Sequence, residues 1–109
     1  MKLAFEMNAW GGVVGTPGAV TDIGSGFYVT PGDVTVGLDA AAAAGFAGFE
    51  LFDGNLLPFE DDMQTLRAAA ADRGLTPVGV YSGGHFIYRD AHADELARFT
   101  RSIALASSL

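Results

Sequence analysis

The chain has no cysteine among its 109 residues. That excludes disulfides, cysteine nucleophiles and thiolate metal sites. Positive charge is scarce, with 6 Lys and Arg against 13 Asp and Glu, for a net charge of −7. This balance argues against binding nucleic acid through a basic face and against attraction to an anionic membrane. The N-terminal stretch is too short to span a bilayer. The opening MKLAFEMNAW is a poor signal peptide, so the expected location is cytoplasmic. Several signatures of chemistry are missing too. GGVVGTPG is neither a dinucleotide fingerprint nor a P-loop, and there is no Gly-x-Ser-x-Gly elbow or His-x-x-x-His pair.

What is present is apolar content and glycine. Half the residues are apolar, only 17% are charged, and 15 are glycine. A chain of this length suffices for one domain with a real core. An apolar fraction this high suits a parallel sheet covered by helices, or a piece that buries surface against a larger body.

The most informative stretch is Ala40 to Asn55, AAAAAGFAGFELFDGN. Alanines favour helix, Gly45 stops it, and Phe46 to Phe52 is a bounded apolar run of strand length. The chain opens with a strand over Leu3 to Asn8. A long glycine-rich loop follows from Ala9 to Asp33, broken by Pro17 and Pro31 and carrying Phe27 and Tyr28 as core or lid aromatics. Asp33 caps a helix over Val34 to Ala44, the strand Gly48 to Phe52 follows, and Asp53 to Asp61 is a turn region. Asp61 or Asp62 caps a second helix to Arg73, which Gly74 stops. Pro77 then leads into a strand over Val78 to Tyr81. After the loop Ser82 to His85, a third helix runs from near Ala93 to about Ser107, with Leu96, Phe99, Ile103 and Ala106 on one face. The order is β-loop-α-β-α-β-α, an α/β fold whose crossovers predict three parallel strands.

KLAFEMNAWGG, AAGFAGFELFDGNLLPF and RGLTPVGVYSGGHF resemble the sugar phosphate isomerase/epimerase family, the xylose isomerase-like (β/α)₈ TIM barrels. The resemblance covers all 109 residues as one partial domain, the first three β/α units of such a barrel. It implies a carbohydrate-metabolism enzyme that isomerises or epimerises a small sugar, sugar phosphate or polyol by proton transfer beside a carbonyl, through an enediolate. It also implies a divalent metal (Mn, Mg, Co or Zn) at the barrel mouth, held by Glu, Asp, His and Glu from later strands. Those ligands are not expected in this chain, which as a fragment is expected to bind no metal and to be inactive alone. Two alternatives stand beside this reading. One is a non-catalytic α/β piece that acts by association, self-associating through exposed edge strands. The other is an inositol-type dehydratase on the same barrel.

The candidate substrate-binding residues are Glu50, His85, Asn8, Trp10, Glu6, Asp53 and Ser82. Glu50 interrupts an apolar strand, where a carboxylate needs a partner, either a substrate or a neighbouring strand. His85 follows two glycines that let a loop approach a ligand, or it is a surface loop histidine. Alternation puts Phe5 and Met7 on one side of the first strand, Glu6 and Asn8 on the other. Trp10 stacks on a sugar ring or packs under the loop. Asp53 ends the second strand and Ser82 the third, Gly54 and Asn55 belong to a turn, and His92 is a solvated histidine.

Overall fold

The computed structural model describes residues 1–7, 25–30, 32–84 and 86–109. Within them lie strand β1 (Ala4–Glu6), helix α1 (Val34–Ala43), strand β2 (Gly48–Phe52), a 3₁₀ helix over Asp53–Phe59, helix α2 (Met63–Asp72), strand β3 (Thr76–Tyr81), a short 3₁₀ turn at Arg89–Ala91 and helix α3 (His92–Ser108). The strands form one open sheet in the order β1-β2-β3, with both pairings parallel. This is the α/β arrangement that the glycine-punctuated pattern predicts.

The helix stops are built alike. Gly45 has φ 84° and Gly74 has φ 69°, left-handed values that an L side chain resists. At the first stop, Gly45 N–H donates to Ala42 O and Phe46 N–H to Ala41 O. At the second, Gly74 N–H donates to Ala71 O and Leu75 N–H to Ala70 O. Both are Schellman motifs, which satisfy the last carbonyls of the helix and turn the chain toward its next strand. The next links also correspond. Ala47 N–H donates to Leu3 O at 2.8 Å, and Thr76 N–H to Ala47 O at 3.1 Å, so each unit starts its strand on the one before.

At its other end α1 is capped by Asp33, whose Oδ1 accepts from Thr35 N–H at 2.8 Å and Thr35 Oγ1–H at 2.7 Å. The Thr35 hydroxyl, then its backbone N–H, hold the Asp33 carboxyl below its ordinary value of 3.8. A lowered folded value means the cap's contribution is complete above about pH 4 and is lost as the pH falls through the lowered value. Asp33→Ala is expected to lower the melting temperature at pH 7, and the difference from the parent to shrink toward pH 2.5. Thermal melts across that range check it.

Alternation along β2 separates two faces. Phe49 and Leu51 are buried in a core with Leu38 and Ala41 of α1, Met63, Leu66 and Ala70 of α2, and Leu105 of α3. Met7 belongs to this core and Phe5 packs against it, as alternation in β1 predicts. Ala4, Glu6, Gly48 and Glu50 take the other face by that alternation. There Val78 is 60% exposed and Tyr81 46%.

Two local expectations change. β3 begins at Thr76 rather than Val78, because the Thr76 N–H already bonds β2's lead-in. Pro77 then occupies a strand position paired with Phe49, on an edge that tolerates a missing N–H. In α3 the apolar set Leu96, Phe99, Ile103 and Ala106 is not the core face. Arg98, Ser102 and Leu105 are buried, while Leu96 and Ile103 are 60% and 63% exposed. Among the described residues no helix is long and apolar enough to cross a membrane.

Candidate functional site

The sheet's second face presents two rows at its C-terminal end. In the first, Glu6 pairs in register with Glu50, and Glu50 with Gly79. Residues in register on adjacent parallel strands sit about 4.8 Å apart and point the same way, so the two glutamates are neighbours. The Glu50 carboxyl lies over β3, and a Cβ on Gly79 would stand 3.0 Å from its Oε1. Gly79 thus makes room for the Glu50 side chain. Glu6 Oε1 is buried.

The second row is aromatic. Phe52 pairs in register with Tyr81, and their rings meet edge to face at 5.3 Å. Tyr28, from the segment before α1, closes the trio at 5.4 Å from Tyr81 and 6.1 Å from Phe52. Its hydroxyl lies against Gly83, where a Cβ would come within 2.6 Å. Phe52 is buried under its partners and Tyr81 stays open to solvent. Carboxylates beside a partly exposed tyrosine can hydrogen-bond hydroxyls and stack on a ring.

Asp53 lies one residue past Phe52 and does different work. It is fully buried, and both oxygens are used. Oδ1 accepts from Tyr28 N–H and Gly54 N–H, each at 2.9 Å. Oδ2 accepts from Ser82 Oγ at 2.5 Å, Ser102 Oγ at 2.9 Å and Arg98 Nη1 at 3.1 Å. Arg98 is itself buried. It also donates to Ser82 Oγ at 3.1 Å, to Glu95 Oε2 at 2.7 Å and to the Gly83 carbonyl, and its guanidinium stacks 4.9 Å from the Phe99 ring centroid. This network ties the ends of β2 and β3 to α3 and to the Tyr28 segment.

Asn55 completes the fastening. Its Oδ1 accepts from Thr30 N–H and its Nδ2 donates to Thr30 O, both at 3.0 Å. Thr30 Oγ1 donates onward to Met7 O at 3.2 Å. An amide side chain here does what a neighbouring strand's backbone would do. Gly54 and Asn55, expected as an ordinary turn, form with Asp53 a buried bracket inside a 3₁₀ helix.

Of the sequence-derived candidates, Glu6 and Glu50 are brought together on the second sheet face. Asp53 and Ser82 are brought together in the buried network instead. Asn8, Trp10 and His85 lie outside the described residues. His92 is exposed, with Nε2 2.5 Å from Phe86 O. The residues that sequence reasoning missed are Arg98, Ser102 and the Tyr28–Phe52–Tyr81 contact. A signal for the first two existed: Arg98, Ser102 and Leu105 share a helical stripe, and a carboxylate next to a buried strand calls for a buried base.

Among the described residues no group of three or more His, Cys, Asp or Glu could hold a metal ion. The two adjacent glutamates do not by themselves make the donor set of a divalent site, and no step through a metal follows from these residues. No protein-family model, curated protein or solved structure matches the chain.

Proposed function

We propose that this chain forms the substrate-facing wall of a (β/α)₈ barrel of the sugar phosphate isomerase/epimerase kind, acting on a small sugar or polyol. One observation carries the reading. Glu6 and Glu50 stand in register on the sheet face opposite the helix-packed core, one row below Tyr28, Phe52 and Tyr81, at the C-terminal ends of parallel strands. Parallel β/α folds place ligands at that end. Consecutive parallel strands joined by identical helix stops are also what successive barrel units require.

In this reading Tyr81 offers its ring to the C–H face of the sugar and Glu50 accepts a hydrogen bond from a hydroxyl. Glu50 is also the group placed to take a proton from carbon beside a carbonyl, the step that makes an enediolate. Gly79 keeps the Glu50 carboxyl flat on the sheet. Asp53 and Arg98 hold the strand ends and the Tyr28 segment in place without touching substrate. Asn8, Trp10 and His85 remain candidates for further contacts.

The test is ligand-induced NMR shifts in the isolated chain on titration with neutral hexoses and inositols. Tyr81 and Glu50 are expected to respond, and Glu50→Gln to weaken binding by roughly tenfold, the value of one charge-assisted hydrogen bond. Saturating polyol that leaves both residues unmoved would overturn the reading. Turnover of a ketose by the isolated chain would show that it is more than one wall of the site.

A further inference from the structure

Two glycines follow Ser82. In the sequence they suggest a loop that comes close to a ligand; in the structure both come close to the protein itself. A Cβ on Gly83 would stand 2.6 Å from Tyr28 Oη, 2.7 Å from its Cζ and 2.8 Å from its Cε2. A Cβ on Gly84 would stand 2.5 Å from Glu95 Oε2 and 2.7 Å from Phe86 Cε2. The pair is gripped between the aromatic row on one side and α3 on the other. Gly83 cannot retreat from the Tyr28 ring, because its carbonyl accepts from Arg98 Nη2, and Arg98 Nη1 is held in turn by Asp53 and Ser82. Nor does its backbone require glycine. The positive-φ glycines among the described residues are Gly26, Gly32, Gly45 and Gly74, so Gly83 lies where any L residue can. What glycine supplies here is space, and the Tyr28 phenol fills it.

We propose that Gly83 is a positioning residue of the ligand face, a role that rests on reading the aromatic row as the substrate-facing surface. The space left by its missing side chain seats the Tyr28 phenol, and the seated ring sets the pitch of Tyr81, the ring offered to the ligand. The path of contact is short. Tyr28 and Tyr81 meet edge to face, with an interplanar angle of 82° and centroids 5.4 Å apart, and Tyr28 leans on Phe52 at 6.1 Å. Edge-to-face pairs fix the tilt of each ring, since the positive edge of one seeks the negative face of the other. The backbone of Tyr81 is held in register with Phe52, so ring pitch is what remains to be set. A methyl on Gly83 would have to displace the phenol tip by roughly 0.8 Å to reach ordinary contact. Phe52 is 4% exposed and enclosed, whereas Tyr81 is 46% exposed and free to follow. The displacement therefore reaches the ligand-facing ring.

A double-mutant cycle in the full chain tests this, read by NMR on titration with a neutral hexose and an inositol. Gly83→Ala is expected to shift the Tyr81 ring resonances before any ligand is added. It is expected to weaken binding about fivefold, the value of one well-set aromatic contact. A residue that acts through Tyr28 has no effect once that ring is gone. In a Tyr28→Ala background, Gly83→Ala is thus expected to change neither the Tyr81 resonances nor the affinity. If Gly83→Ala alone fails to fold, the double variant is expected to fold, because all three obstructing atoms belong to Tyr28. Asp33→Ala, which loosens the α1 cap, is expected to lower stability and leave both readouts where they are. Parental affinity in Gly83→Ala, the same loss in both backgrounds, an equal loss in Asp33→Ala, or a double variant that does not fold would overturn the positioning role and leave the reading of the site standing. A parent chain that binds neither ligand would overturn that reading and this role together.

Discussion

Asp53→Ala is expected to cost about 3–5 kcal/mol, the range found when one partner of a buried ion pair is removed. Arg98 would keep its charge in a buried site with one of its two carboxylates gone and Glu95 alone left to pair it, and its Nε already has no acceptor among the described residues. Ser82 and Tyr28 N–H would lose their acceptor at the same time, and Ser102 and Gly54 N–H would be left with the Arg98 and Tyr28 carbonyls alone. Domains of this size are stable by only about 5–15 kcal/mol, so the variant would stand near or below the threshold for folding. In urea the midpoint should fall by roughly 2–5 M for an m-value of about 1–1.5 kcal/mol/M. Asp53→Asn separates charge from shape. Its amide would place a donor where Ser82, Ser102 and Arg98 already donate, so it is expected to lose most of the same stability. Adding Arg98→Met to Asp53→Ala should recover part of the loss, because the buried, half-paired cation goes with it. Equal midpoints for Asp53→Ala and the parent would show that the network contributes nothing net.

Gly54→Ala is expected to be the most damaging single methyl among the described glycines. A Cβ there would stand 2.3 Å from the Tyr28 carbonyl oxygen and 3.1 Å from Phe27 Cβ. The first of these is backbone, and it is the acceptor of Gly54's own N–H at 2.7 Å. Relief therefore requires the two chain segments to part. That breaks this bond and pulls Tyr28 N–H off Asp53. Overpacking alone costs about 1–3 kcal/mol, and the lost bonds put the total at the upper end or beyond. The functional signature is separate from the stability loss. Tyr28 leaves the aromatic trio, so the Tyr81 ring resonances should shift in the folded fraction. A folded Gly54→Ala protein with parental Tyr81 shifts would contradict the close approach.

The contrast between these residues and the helix stops shows where the sequence is readable. Gly45 and Gly74 could be read because a left-handed stop after an alanine-rich helix is a local requirement with one cheap solution. Glu6 could be set on the face opposite Phe5 and Met7 because alternation in a strand is local too. The aromatic trio could not be placed. It joins residues 28, 52 and 81, and nothing in the sequence sets the distance between them. In α3 the apolar periodicity pointed the wrong way, since the buried carboxylate of Asp53 draws Arg98 and Ser102 inward and leaves Leu96 and Ile103 outside. Turn propensity assigns Asn55 to an ordinary turn and its place at a strand end makes Asp53 a substrate candidate, whereas long-range hydrogen bonds fix both inside.

The Asn55–Thr30 bracket has a consequence for how this fold changes over time. A strand's place in a sheet is secured by many backbone bonds that no substitution can delete. The Thr30 segment holds its place largely through side chains of residues 53 and 55, which one codon change can remove. The sheet beneath is therefore inherited as architecture, while the segment above it is inherited as a removable attachment. Tyr28 travels with that attachment, so the aromatic face beside Glu50 can be gained, lost or re-aimed while the three strands stay as they are.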